Sequence, residues 1–293
     1  MPTSVTSFAE KTRTLLEMIK FSHTVFAFPF ALMGLVLAAL ENGAPPTLAQ
    51  IFWICLAMVG ARSSAMGLNR IIDAGIDAEN PRTASRHIPS GIVSLPEAWL
   101  FVGLATALLF GAAWMLNPLC LALAVVAVGL FVLYSFCKRF TPLAHLVLGL
   151  CLAGAPIGAW IGIRGDLQWP VLVLGLAVLF WVAGFDIFYA LQDFEFDRDR
   201  GLHSIPARLG IPRAILVGKL FHGVMIGLLA LLPLGVPLGG IYYLGLLVIS
   251  GLIVYEHNLV KPDDLSRLDA AFFNMNGYIS VTIFLFTLVD ALA

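Results

Sequence analysis

Nine stretches of this chain are long enough to cross a lipid bilayer and carry almost no charge. They cover residues 24–41, 48–68, 96–116, 118–137, 143–161, 169–192, 213–234, 238–257 and 272–291. A spanning helix needs about 20 largely apolar residues. Hydrophobic residues make up 60% of the 293 and charged residues only 12%, against roughly 45–50% and 25% in soluble domains. No soluble core of this length needs so much apolar sequence, so lipid is part of the solvent. The pattern predicts an all-α, multi-pass membrane protein, a single domain over 1–293. Its nine transmembrane helices would form a bundle enclosing a central cavity. The breaks between runs are turn-like: Asn42-Gly43-Ala44-Pro45-Pro46, Asn117-Pro118, Arg164-Gly165-Asp166 and Pro237-Leu238-Gly239-Gly240.

The loops alternate in charge. Lys11, Arg13 and Lys20 precede the first run, and Arg70, Arg82 and Arg86 follow the second. Lys138 and Arg139 follow the fourth, Arg198, Arg200, Arg208 and Arg213 surround the break after the sixth, and Lys261 and Arg267 follow the eighth. The opposite loops hold one basic residue, Arg164. This bias places the N-terminus and the long loops in the cytoplasm and the C-terminus on the other side. The first run has a polar lead and no clear small-residue cleavage site, so it reads as a span and not as a signal peptide. Cys55, Cys120, Cys137 and Cys151 lie in or beside apolar runs without CxxC spacing and read as small buried hydrophobes.

Two acidic stretches lie on the cytoplasmic side. In the first, Asn69, Asp73 and Asp77 are spaced by four, which on a helix makes one polar ridge. Like carboxylates at that spacing repel, and a cation between them removes the repulsion. In the second, Asp186, Asp193 and Asp197 also share one helical face, and Asp186 falls inside the sixth run. An ionisable residue at that depth is a functional hypothesis by default. The plainer reading is that carboxylates mark solvated helix ends, paired with Arg70 and Arg198. Two ridges on the same side favour Mg²⁺ ions clamping a phosphate or diphosphate. A transporter or cation channel would use the same acids as a relay.

Basic residues gather on the same side. Arg82, Arg86, Lys138 and Arg139 can bind phosphate oxygens, although the positive-inside bias explains part of the set. Arg62 lies one to two turns inside the second run, where it can hold an anionic group or pair with Asp186 or Asp193. The six histidines have no metal-ligand spacing and read first as polar or interfacial residues, with His23 the one of most interest. Glu256-His257-Asn258 and Asn274-Met275-Asn276 would line a pocket mouth or solvate helix ends. Phe26, Phe28, Phe185, Phe188 and Tyr189 read as packing or lipid-facing groups that would also suit an isoprenoid chain.

The chain resembles the UbiA-type intramembrane aromatic prenyltransferases. The resemblance runs from Lys20-Phe21-Ser22-His23 through the ninth run. It rests on Asn69-x-x-x-Asp73-x-x-x-Asp77, Tyr134-x-x-x-Lys138-Arg139-x-Thr141 and Asp186-x-x-Tyr189-Ala190-x-Gln192-Asp193-x-x-x-Asp197. Arg70 stands where many members have Asp, a departure also found in the quinone-pathway branch. The resemblance implies a nine-helix fold, a cell inner membrane location, two Mg²⁺ ions, a polyprenyl diphosphate and a small aromatic acceptor. It implies no nucleic acid and no obligate protein partner. By match, Asn69, Asp73 and Asp77 would hold one metal–diphosphate face and Asp193 and Asp197 the other. Asp73, Asp193, Asp186 and Lys138 would be catalytic, with Asp186 near the reacting centre. Lys138 and Arg139 would face the diphosphate and Arg62 the acceptor. Asn69, Arg70, Arg82, Arg86, Tyr134 and Tyr189 complete the substrate-contacting set. The stretch Ala61 to Arg70 with Asn80-Pro81-Arg82-Thr83-Ala84 is similar to 4-hydroxybenzoate polyprenyltransferases. It is equally similar to relatives that prenylate 1,4-dihydroxy-6-naphthoate in menaquinone synthesis. The broader 4-hydroxybenzoate group is the preferred label.

Overall fold

A computed structural model of the chain describes residues 8–19, 27–268 and 270–293. In chain order its α-helices are α1 (Phe8–Met18), α2 (Phe28–Asn42), α3 (Leu48–Ile72), α4 (Ala74–Glu79), α5 (Leu95–Leu116), α6 (Pro118–Cys137) and α7 (Ala144–Arg164). There follow α8 (Trp169–Ala190), α9 (Phe194–Asp199), α10 (Ile205–Leu209), α11 (Ile211–Leu231), α12 (Gly240–Leu259) and α13 (Asn276–Leu292). His23, Lys20 and Phe26 lie outside the described residues.

Seven helices are long and apolar enough to span a membrane: α3, α5, α6, α7, α8, α11 and α12. The hydropathy pattern predicts nine. The first and last runs give apolar helices of 15 and 17 residues among the described residues. The last run opens with a π-helical turn, Ala270–Met275, so α13 starts only at Asn276. The break at Asn117-Pro118 does separate two full helices. Asn117 Oδ1 accepts from the Cys120 amide at 2.9 Å to cap α6, while its Nδ2 donates to the Ile161 carbonyl at 2.8 Å. Thr47 with Gln50, and Ser94 with Glu97, form capping boxes that start α3 and α5.

The long helices are apolar around their whole circumference, and their outward faces carry exposed Trp99, Leu104, Trp114, Val125, Leu220, Leu247 and Val254. An apolar exterior of this extent fits hydrocarbon, not water. Helix α8 is the most enclosed of the seven, with most of its residues buried. It packs along α7 and α11, while α3 packs along α5 and α2 along α7. Small residues let the backbones touch. A β-carbon on Gly60 would lie 2.6 Å from the Leu109 amide nitrogen of α5, and one on Gly149 would overlap the Leu179 carbonyl of α8. Helix α1 lies beside this bundle, with Leu15, Met18 and Ile19 packed near Val93 and Ala98.

Overpacking at such a contact typically costs about 1–3 kcal/mol. Gly149→Ala should therefore lower the unfolding midpoint in detergent micelles. Gly129→Ala, whose β-carbon meets nothing, should leave it unchanged or raise it. Equal midpoints for the two variants would contradict this packing.

Candidate active site

Both acidic motifs sit where a long helix breaks. The four-residue spacing predicts a continuous helical ridge in each. Instead α3 ends at Ile72 and α4 begins at Ala74, and α8 ends at Ala190 and passes through a 3₁₀ turn, Leu191–Asp193, into α9. The joint residues adopt nearly the same backbone: φ −91°, ψ 2° at Asp73 and φ −103°, ψ 9° at Asp193. This is the sparsely populated bridge region between helix and strand, where many active-site residues sit. The break re-aims each acid without ending the chain's helical course, since Asp73 N still donates to Asn69 O and Asp77 N to Asp73 O.

A cavity of about 550 Å³ opens at these breaks. Every site residue predicted above except Arg139 lines it. Asp73, Asp77, Asp193 and Asp197 share its polar end with Arg82, Arg86 and Lys138. Arg62, Tyr134, Phe185, Asp186 and Tyr189 belong to its wall, together with apolar side chains such as Ile54, Leu109, Leu116 and Leu123. Cys120 and Cys151 line it too, and all four cysteines are free.

Each ridge carboxylate at the polar end has one basic partner. Asp193 Oδ1 accepts from Arg82 Nε at 2.7 Å and from Asn80 Nδ2 at 2.8 Å, and its other oxygen takes Arg82 Nη2. Arg82 Nη1 also donates to the Tyr189 hydroxyl at 3.0 Å. Asp77 accepts from Arg86 Nη1 at 2.7 Å, and Asp197 from Lys138 Nζ at 3.2 Å. Asp73 accepts from Asn69 Nδ2 at 2.7 Å and faces Arg139 Nη2 at 3.3 Å. The Arg82–Asp193 and Asn80–Asp193 bonds join the loop after the first ridge to the second ridge, so the two motifs meet directly.

Arg139 departs from its predicted place. It is held outside the cavity by the carbonyls of Ser135 at 3.0 Å and Ile72 at 2.8 Å, and its guanidinium lies over the Phe136 ring. Arg70 is buried and donates to the Met18 carbonyl, tying α3 to α1. Arg198 pairs with Glu195 and Asp199, and Arg200 with Glu79, on the exposed surface.

Burial pushes the Asp73 carboxyl up to about 6, against the pull of Arg139, with Asp77 adding to the rise. At Lys138, burial favours the neutral amine, but the carboxylates of Asp197, Asp193 and Asp186 outweigh it and hold the ammonium form. The donors are hard oxygens suited to Mg²⁺. Among the described residues no three acidic, histidine or cysteine side chains converge on one point. A cation here would thus draw its remaining ligands from a bound anion or water, as Mg²⁺ commonly does with substrate phosphates.

One partner of Asp186, His145, is not apparent from sequence spacing. It is fully buried in the first turn of α7, and its Nδ1 lies 2.7 Å from Asp186 Oδ2. Glu256 and Asn276 are buried away from the cavity and neither line its mouth nor solvate helix ends. Near Phe188, His222 Nδ1 lies 3.0 Å from His257 Nε2, behind α8.

Residues 27–278 match the UbiA prenyltransferase family. The chain is 30% identical over 245 residues to the 4-hydroxybenzoate octaprenyltransferase of Pseudomonas aeruginosa, covering 84% of this chain and 82% of that protein. It is 32% identical over 252 residues to the enzyme of the same name from Vibrio atlanticus, covering 86% and 87%. Its fold is similar to the apo structure of a UbiA homolog from Aeropyrum pernix K1, with a TM-score of 0.82, 34% identity and coverage of 92% and 98%. A UbiA homolog from Archaeoglobus fulgidus bound to DMAPP and Mg²⁺ shares the fold at a TM-score of 0.71 and 20% identity, covering 96% and 99%. With this family match across most of its length and an acid-lined cavity between its helices, the chain belongs to the UbiA prenyltransferase family.

Proposed function

We propose that the protein transfers a polyprenyl group from polyprenyl diphosphate to an aromatic carboxylate in quinone biosynthesis, with 4-hydroxybenzoate as the acceptor. The observation that carries this reading is the set of three acid–base pairs, Asp193–Arg82, Asp77–Arg86 and Asp197–Lys138, that line a largely apolar cavity. Such a site offers both signs of charge to a metal-bound diphosphate and hydrocarbon walls to its tail. The relatives named 4-hydroxybenzoate octaprenyltransferase support the acceptor.

Asp73, Asp77, Asp193 and Asp197, with Asn69, are the residues that would hold Mg²⁺. When bound with the diphosphate, Mg²⁺ supplies neutralising charge as the C–O bond breaks. Arg82, Arg86 and Lys138 then exchange a carboxylate for diphosphate oxygens, and stabilise the charge that grows on the leaving group. Arg62 holds the acceptor carboxylate within the wall. Tyr134, Phe185 and Tyr189 bound the space where the allylic cation meets the ring. The helices keep water from that cation. We place the whole chain in one domain of nine spans in the cell inner membrane, N-terminus cytoplasmic and C-terminus opposite. That orientation leaves the acids at the cytoplasmic rim and the tail in apolar surroundings.

Purified protein given one polyprenyl diphosphate, Mg²⁺ and 4-hydroxybenzoate should yield prenylated acid and diphosphate, read by product mass. A parallel reaction with 1,4-dihydroxy-6-naphthoate tests the other acceptor. Product only from the naphthoate would move the acceptor assignment, and product from neither would overturn the reading. Asp73→Asn and Asp193→Asn should each lower kcat at least ~10²-fold, the scale of losing a strong transition-state contact.

The raised Asp73 carboxyl sets a pH dependence. Its proton competes with a cation, so cation binding weakens as the pH falls through the range near and below 6. The sign for the ligand-free fold is opposite. A carboxyl raised above its ordinary value contributes stability when protonated, and that contribution is lost as the pH rises through about 6. Arg139 opposes the rise, so Arg139→Ala should shift the acid limb of Mn²⁺ binding to higher pH; a limb that stays or moves lower would show that Arg139 does not set it.

A further inference from the structure

Among the carboxylates of the two ridges, Asp186 has a different kind of partner. Asp73, Asp77, Asp193 and Asp197 each pair with an arginine or lysine. Asp186 pairs with His145, through Oδ2 at 2.7 Å, and its Oδ1 has no hydrogen-bond partner among the described residues. Asp186 lines the same cavity.

The proton on His145 can be placed. Its Nε2 accepts from the Ile205 backbone N–H at 3.4 Å. A backbone N–H only donates, so Nε2 carries a lone pair. The ring proton of the neutral imidazole then sits on Nδ1 and points at Asp186 Oδ2. Side-chain exposure of His145 is 1%, so no water competes for either nitrogen. The Ile205 amide is itself fixed. It opens α10, which Ser204 caps by accepting from the Ala207 amide at 3.2 Å, and the neighbouring His203 N–H donates to the Lys138 carbonyl at 2.7 Å. The segment 203–205 thus clasps the ends of α6 and α7 and holds the imidazole in one tautomer.

From this arrangement we infer that Asp186 is the base for the reaction and His145 its positioning residue. The inference rests on the prenyl transfer proposed above. When the ring carbon attacks, a C–C bond forms to the first prenyl carbon, the C–O bond breaks, and its electron pair leaves with the diphosphate. The same ring carbon must then lose its proton to restore aromaticity. Asp186 Oδ1 takes that proton. A hydrogen bond from Nδ1 keeps Oδ2 turned away, so that Oδ1 presents its lone pair to the cavity. Asp73, Asp77, Asp193 and Asp197 are each engaged by an arginine or lysine, whereas Asp186 is held through one oxygen by an imidazole, which leaves the other oxygen to act as the base.

The test uses the whole protein in micelles, with His145→Leu and His145→Asn. In the asparagine variant the amide nitrogen stands near the Nδ1 position and can still donate to Asp186. His145→Leu should lower kcat roughly 10- to 100-fold, the usual cost of removing a partner that orients a reacting group, with KM for the diphosphate within about threefold. Acceptor deuterated at the attacked ring position should show little isotope effect with wild type and a clear one with His145→Leu, because proton loss has become slow. His145→Asn should recover most of kcat. Nitrogen-15 histidine NMR of the wild type should show one resonance protonated on Nδ1 alone that vanishes in both variants.

Wild-type kcat in His145→Leu overturns the inference while leaving prenyl transfer intact. So does a kcat loss without an isotope effect that His145→Asn does not repair, or a proton found on Nε2. Absence of any prenylated product from the wild type overturns the prenyl-transfer reading itself, and the inference with it. Melting temperatures of all variants identify a folding defect. Should His145→Leu fail to fold, the NMR tautomer and the isotope effect in Asp186→Asn decide, with no isotope effect there counting against the base assignment.

Discussion

The bond between Arg82 and Asp193 is the interaction on which the site depends. Asp193 is nearly buried at the end of the most enclosed helix. A carboxylate there is tolerable only if a cation and hydrogen-bond donors meet it. Arg82 and Asn80 do so from the loop after the first ridge. That one requirement brings together two motifs more than a hundred residues apart in the chain, and with them the whole polar end of the cavity. The other three pairs repeat the arrangement. In the function proposed above, these charges, held against one another in the resting protein, are the ones a metal-bound diphosphate would engage.

The two ridges are alike in a further respect. Asp73 and Asp193 stand at helix breaks with nearly equal backbone angles. Each break is followed by one helical turn or more that carries a second acid, Asp77 or Asp197, pointed back at a base. Matching joints on α3 and α8 let the acids converge without any loop having to enter hydrocarbon.

Much of this was legible in the chain. Run lengths located the seven long helices to within a few residues, because burial in lipid requires a minimum apolar length and nothing else sets it. The four-residue spacing found the acids, since helices place such residues on one side. The same periodicity concealed the breaks at Asp73 and Asp193, because a single residue in the bridge conformation leaves the spacing unchanged. Arg139 read as a cavity residue from its position beside Lys138. Adjacent residues on a helix end diverge by about a quarter turn or more, and the carbonyls of Ile72 and Ser135 take it elsewhere. His145 gave no signal, since its partners Asp186 and Ile205 lie 41 and 60 residues away. Packing of α7 against α8 brings Asp186 to it, and the segment that opens α10 brings Ile205.

In the function proposed above, the paired acids hold a divalent cation tightly when a diphosphate supplies its remaining ligands. Mn²⁺ binding to the purified protein, followed by electron paramagnetic resonance with and without a non-reactive prenyl thiodiphosphate, tests this most directly. Weak binding alone and tight binding with the diphosphate analogue, both lost in Asp193→Asn, is the predicted result. Tight Mn²⁺ binding without the analogue, or binding with it that survives loss of the Asp193 charge, would contradict it.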